Sequence, residues 1–145
     1  MSVVAAILKH KGYQVVTVAP TAKIGEVAQT LADKRIGAVL VRDSADQLLG
    51  VVSERDIVCS LAANGARTLE MTAGQLMTRA LRTATPRSTV AEAMREMTVG
   101  RFRHMPVLDD GLLVGVISIG DVVKARIMEQ DYEVESLKTY VSGSA

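Results

Sequence analysis

The sequence predicts a mixed α/β protein of the α+β type, in which two tandem β-α-β-β-α units pack sheet to sheet, with a short helix before them and a long helix after. Three observations predict it. The chain repeats itself once: at an offset of 66, Thr17, Pro20, Glu26, Arg35, Val41 and Asp43 meet Thr83, Pro86, Glu92, Arg101, Val107 and Asp109. After one deletion the offset becomes 65, and Leu48, Gly50, Val51, Ser53, Asp56 and Val58 meet Leu113, Gly115, Val116, Ser118, Asp121 and Val123. Within each copy, short apolar runs and stretches of helical periodicity alternate in the same order. Finally, of 145 residues 48% are hydrophobic but only 3% aromatic, so the core is aliphatic and one unit alone has a thin one. Two units therefore pair their sheet faces.

In chain order, residues 1–12 form the N-terminal helix, with Ser2 as N-cap, Lys9, His10 and Lys11 in the last turn and Gly12 as its stop. Residues 13–65 form the first repeat. A strand over 13–18 ends at Pro20, and a helix over 23–34 carries Ile24, Val27, Ala28 and Leu31 on one face. A buried strand over 37–41 returns, through the turn residues 43–46, as an antiparallel strand over 48–52. The next helix covers 56–63 and stops at Asn64-Gly65. Residues 66–80 connect the copies and hold a short helix over 73–77. The second repeat, 81–130, has a strand over 81–83, a helix over 90–97, and strands over 103–108 and 112–117. Its final helix runs from 119 to 140 and so into the extension 131–145, where Ile127, Met128, Tyr132, Leu137 and Val141 form an apolar seam beyond what the core needs.

The stretch repeated most clearly is Gly50-Val51-Val52-Ser53-Glu54-Arg55-Asp56, which returns as Gly115-Val116-Ile117-Ser118-Ile119-Gly120-Asp121. Each follows a strand and opens a helix. Two readings fit. Serine at the N-cap and aspartate three residues on make a capping box. Alternatively, the stretch is a nucleotide cradle: a helix N-terminus faces a phosphate, the serine hydroxyl adds a donor, and the carboxylate accepts from a ribose diol.

Composition narrows the function. Seventeen basic against sixteen acidic residues leave a net charge of +1, without the electrostatic footprint of a nucleic-acid binder. The single cysteine, Cys59, excludes an internal disulfide framework and is expected as a packed thiol among Ile57, Val58 and Leu61. No metal-ligand cluster, nucleophile–base pair or P-loop is visible, so no catalytic activity and no catalytic cofactor is expected. The apolar run at residues 3–8 is too short for a signal peptide, and no run is long enough for a membrane span. A cytoplasmic protein without a membrane partner is expected.

A tandem pair of such units, each ending in Gly-hydrophobic-hydrophobic-Ser-x-x-Asp, resembles the cystathionine β-synthase (CBS) domain pair, or Bateman module. Met77-Thr78 ahead of the second copy and Arg103-His104-Met105-Pro106-Val107 on its middle strand add to the likeness. Ser53-Glu54-Arg55-Asp56 and Ser118-Ile119-Gly120-Asp121 liken the chain to stand-alone bacterial CBS-pair proteins. The resemblance implies pseudo-two-fold symmetry and a cleft between the repeats that holds AMP, ADP, ATP, S-adenosylmethionine or NAD. It implies that Asp56 and Asp121 hold ribose hydroxyls, and that Ser53 and Ser118, with the following residues Arg55, Ile119 and Gly120, face ribose or phosphate. Arg101, Arg103 and His104 would neutralise phosphates, and adenine would lie among Val16, Ile36, Gly37, Ala38, Met105 and Pro106. Because Gly120 stands opposite Arg55, the two sites would prefer different ligands or phosphate counts. The function implied is a non-catalytic sensor of energy or redox state that acts through conformation or assembly on an effector protein still unknown. A homodimer is expected from the two terminal helices. The alternative is a constitutive dimerisation module that needs no ligand.

Overall fold

Two separate aliphatic cores organise the chain. The computed structural model describes residues 2–79 and 81–143. These fall into two compact units: one is continuous, Val15–Leu81, and the other joins Met1–Gln14 to Arg82–Ala145. They are called here the repeat-1 unit and the repeat-2 unit.

In the repeat-1 unit the elements are β1 (Thr17–Val18), α2 (Ile24–Lys34), β2 (Ala38–Arg42), β3 (Leu48–Ser53), α3 (Glu54–Asn64), a 3-10 helix (Gly65–Glu70) and α4 (Ala73–Leu76), with α1 (Val4–Lys11) preceding them in the chain. The sheet order is β1-β2-β3, with β1 parallel and β3 antiparallel to β2. Ile24, Val27 and Leu31 from α2 meet Val39, Val41 and Val52 from the sheet and Ile57, Ala73 and Met77 from the helices that follow. The spacing of the three α2 residues puts them on one face, which is why this stretch is helical and sheet-bound.

The repeat-2 unit holds α1, α5 (Val90–Gly100), β4 (His104–Asp109), β5 (Leu112–Ser118) and α6 (Ile119–Gly143). Strands β4 and β5 are antiparallel, and Ala84 makes a parallel bridge to Val107. Helix α1 buries Val4, Ile7 and Leu8 in this core beside Met97, Met105, Ile117 and Val122. The internal duplication shows in backbone detail. Both hairpins carry an irregularity at matching places, Val41/Arg42 and Val107/Leu108. Both helices α2 and α5 end on an arginine in the left-handed region, Arg35 with φ 54° and Arg101 with φ 55°.

The expected order of elements holds, with four corrections. The strand expected over 13–18 shrinks to Thr17–Val18, because Tyr13 and Gln14 are exposed and have no buried face to present. The strand expected over 81–83 is absent; only Ala84 bridges, after the exposed Arg82 and Thr83. Ser2 is not the cap of α1. Val3 holds that position in extended form, and the first amides, of Val4 and Ala5, donate to the carbonyls of Ser88 and Pro86 rather than to a side chain. Cys59 is exposed rather than packed. Helix α3 turns Ile57 and Ser60 inward, and Val58 and Leu61, which made Cys59 look buried, are 63% and 38% exposed. The 3-10 helix was not legible in the sequence; its Thr68 is fully buried and pairs with Ser60 Oγ at 2.8 Å.

Two glycines at equivalent positions admit a close approach by another segment. A β-carbon on Gly50 would stand 2.7 Å from the Thr78 carbonyl oxygen and 2.8 Å from Met77 Sδ. One on Gly115 would stand 2.7 Å from Leu8 Cδ2. Equivalent glycines in the two repeats thus receive different chain segments, residues 77–78 in one and α1 in the other.

Candidate ligand-binding site

The strand-to-helix turn at the end of β3 and of β5 is built the same way in both units. Ser53 and Ser118 end their strands in register with Ala38 and His104, respectively. The amide that follows each serine donates to the strand opposite: Glu54 to the Gly37 carbonyl at 2.9 Å and Ile119 to the Arg103 carbonyl at 2.8 Å. Reciprocal capping follows. Ser53 N–H donates to Asp56 Oδ2 at 2.8 Å, and Asp56 N–H donates to Ser53 Oγ at 3.2 Å. The same pair joins Ser118 and Asp121 at 2.8 and 3.2 Å.

The capping box and the cradle are compatible, because they use different atoms. Every hydrogen bond that Asp56 and Asp121 accept among the described residues falls on Oδ2. A carboxylate oxygen, Oδ1, is left on each to accept from a diol. Likewise the first helical amide is taken by the opposite strand and the third by the serine, so the second, of Arg55 and of Gly120, is the one the box does not occupy. Both carboxylates are half-buried.

In charge, the two turns differ. Lys11, the last residue of α1, donates to Asp121 Oδ2 at 2.7 Å and to the Val116 carbonyl at 3.1 Å. This ion pair is only partly exposed, with the two side chains 33% and 23% accessible. Burial pushes the Asp121 carboxyl up, but the Lys11 ammonium and the Ser118 N–H together outweigh it and hold the group below its ordinary range. Among the described residues, Asp56 accepts only from Ser53. Sequence reading missed Lys11, since 110 positions separate it from Asp121. Its place just before Gly12, in the last turn of an amphipathic helix, marked a helix end and nothing more.

The remaining candidates sort by unit. Around the β3–α3 turn, Gly37 and Ala38 lie directly opposite it, Arg55 is exposed on the first turn of α3, and Val16 and Ile36 are half-buried. Ile36 and Gly37 line a hollow of about 470 Å³ with Arg35, Glu54 and Ile57. Around the β5–α6 turn, Arg103 is exposed, His104 half-buried and Pro106 buried, with the Pro106 carbonyl bonded to Ala84 N–H at 2.9 Å. Arg101 is exposed at the end of α5. Ile119 and Gly120 line a hollow of about 410 Å³ with Val123, Lys124, Ile127 and Met128. Met105 is 1% exposed and its side chain belongs to the core, so it offers a ligand only its backbone. Among the described residues no three His, Cys, Asp or Glu side chains gather as a metal site would require, and no helix is long and apolar enough to cross a membrane.

Two tandem units with this strand–turn–helix define a tandem-repeat domain pair. The chain belongs to the CBS domain family: residues 5–63 and 73–127 both match the family's CBS domain. It is similar to the mitochondrial CBS domain-containing protein CBSX3 of Arabidopsis thaliana, 34% identical over 122 residues, which are 81% of this chain and 59% of that protein. The chain thus spans little more than half of that relative's length. Among solved structures it is similar to a CBS-domain protein of Agrobacterium tumefaciens, with TM-score 0.84, 46% identity, and 86% and 93% of the two chains covered. It is also similar to the CBS domain pair of protein MJ0100, solved with 5′-methylthioadenosine and S-adenosyl-L-methionine (TM-score 0.78, 25% identity, 89% and 98% covered). A further likeness is to CBSX2, solved with AMP (TM-score 0.71, 26% identity, 90% and 99% covered).

Proposed function

We propose that this protein is a non-catalytic regulatory module that binds adenosine-containing ligands, among AMP, ADP, ATP and NAD, and signals by a change of conformation or assembly. The observation that carries it is the doubled turn, in which Asp56 and Asp121 each spend Oδ2 on the helix cap and keep Oδ1 for a diol. The ligands held by the similar CBS pairs share one chemical part, an adenosine with a substituent at the 5′ position. A carboxylate for the ribose, a free helix amide nearby and cations beyond it suit that shared part.

In this reading Asp56 and Asp121 hold ribose hydroxyls. Ser53 with Arg55, and Ser118 with Ile119 and Gly120, face the ribose and the 5′ substituent. Arg101, Arg103 and His104 meet phosphate. Adenine stacks against Val16, Ile36, Gly37 and Ala38 in the repeat-1 unit, or against Pro106 and the Met105 backbone in the repeat-2 unit. Arg55 against Gly120 gives the two units unequal positive charge and hence different phosphate preferences. The module works in the cytoplasm on an effector protein. Differential affinity of the ligand for two states supplies the signal.

Calorimetric titration with AMP, ADP, ATP and NAD tests this. Asp56→Ala and Asp121→Ala should each weaken binding by about 1.5–3 kcal/mol, the loss of a hydrogen bond to a charged acceptor. Wild-type affinity in both variants would overturn the assignment. A second reading, a constitutive dimerisation module, is favoured by α6, where Ile127, Met128, Tyr132, Leu137 and Tyr140 are 52–75% exposed. Dimerisation along this helix is part of both readings. Only a protein that dimerises and ignores every adenine nucleotide would favour the second.

A further inference from the structure

Lys11 lies within the residues matched to the first repeat, yet its ammonium sits on Asp121 of the second. Three contacts bring it there. Leu8 fills the space over Gly115, which docks α1 on β5. The Val116 carbonyl, next along the strand, accepts one Lys11 proton at 3.1 Å. Asp121 Oδ2 accepts another at 2.7 Å, on the same oxygen that takes the Ser118 N–H.

We propose that Lys11 is a positioning residue for diol recognition at the repeat-2 turn. It pins Oδ2 and leaves Oδ1 turned to the ligand, so that ribose selectivity at this turn depends on the N-terminal helix. The inference rests on the reading that Asp121 receives a ribose. A carboxylate held at one oxygen by two donors has little rotational freedom left to lose when a diol binds, and fixed geometry favours binding by sparing that cost. In the repeat-1 turn both donors to Asp56 Oδ2 come from Ser53, its N–H at 2.8 Å and its hydroxyl at 3.0 Å, and among the described residues no cation from another element joins them. The segment docked over Gly50 carries Met77, Thr78 and Arg79, and the Arg79 guanidinium bonds the Gly74 carbonyl at 3.4 Å rather than Asp56. The two carboxylates therefore differ in what holds them: Asp56 is held within its own turn, Asp121 also by a cation from a distant helix.

The test is the preference for AMP over 2′-deoxy-AMP, measured by calorimetry in an Asp56→Ala background so that the repeat-2 turn alone reports. Lys11→Met should lower that preference about tenfold, the scale of one charge-assisted hydrogen bond. Lys11→Arg, which keeps a cation able to reach the same two oxygens, should restore most of it. In the converse background, Asp121→Ala, Lys11→Met should leave the preference unchanged, which a general loss of folding would not do. An unaltered preference in Lys11→Met/Asp56→Ala, with Asp121→Ala still abolishing it, would overturn the role of Lys11 and spare the ribose assignment. Absence of any discrimination in the Asp56→Ala parent would overturn both.

Discussion

Leu8 occupies the place where Gly115 would carry a side chain: its Cδ2 atom is 2.7 Å from the position of a β-carbon there. The helix before the first repeat is thereby part of the core of the second, and Lys11 three residues on is carried to Asp121. The corresponding glycine, Gly50, is closed by backbone, the Thr78 carbonyl at 2.7 Å, as well as by Met77.

This difference orders two substitutions. Gly115→Ala should destabilise by about 1–3 kcal/mol, the usual cost of overpacking, with relief available from rotation of Leu8. Gly50→Ala should cost more, since a carbonyl tied into the Val51–Thr78 bridge cannot turn away. Urea denaturation of both variants compares them directly. Equal losses would mean that the Leu8 side chain has no freedom to yield.

The ion pair between Lys11 and Asp121 should make acid stability depend on α1. A carboxyl held below its ordinary value of 3.8 stabilises the fold above that pH and loses its contribution as the pH falls through the folded-state value. Lys11→Met leaves burial, which raises the group, opposed only by Ser118. At neutral pH the variant should be less stable by about 1 kcal/mol, in the range for partly exposed charged pairs. The gap to wild type should close as the pH drops below the ordinary carboxyl value. A gap independent of pH would assign the loss to packing of the lysine stem instead.

The capping boxes should matter separately from any ligand. Ser53→Ala and Ser118→Ala each remove the acceptor for the third helical amide, at 3.2 Å in both units, and should cost about 1 kcal/mol. Ser53→Gly should cost only a few tenths, because glycine is itself tolerated at an N-cap. Thermal or chemical unfolding without nucleotide measures this.

Helix α6 extends well past Val122, its one buried residue among those described, and exposes Leu137 at 64% and Tyr140 at 75%. If dimerisation runs along this face, Leu137→Glu with Tyr140→Glu should shift the protein toward monomer in sedimentation. Stability of the monomer should barely change, since neither side chain is buried. An unchanged sedimentation coefficient would place the contact elsewhere.

Local features were readable in the sequence, and long-range ones were not. The offset between copies, the apolar spacing of Ile24, Val27 and Leu31, and the Ser-x-x-Asp turns all depend on residues close together in the chain, and each appears where expected. What escaped depends on partners far away. Ser2 has the right chemistry for a cap, but the Ser88 and Pro86 carbonyls satisfy the helix instead. Cys59 sits among apolar neighbours that themselves face outward. Thr68 is buried because Ser60 of the preceding helix pairs with it, which periodicity does not encode. At the candidate site, Asp56 and Asp121 were evident from the repeat. The Lys11 clamp was not, because a lysine at a helix C-terminus is already accounted for by the dipole.

The division of the chain also bears on the order in which it folds as it is made. Val15–Leu81 is continuous and has its whole core once residue 81 has emerged. Helix α1 is synthesised before that unit, yet the strand that covers Leu8 follows about a hundred residues later. During synthesis its apolar face has no native partner and is open to chaperones or to neighbouring nascent chains. A helix made before the whole repeat-1 unit is thus buried only after that unit is complete.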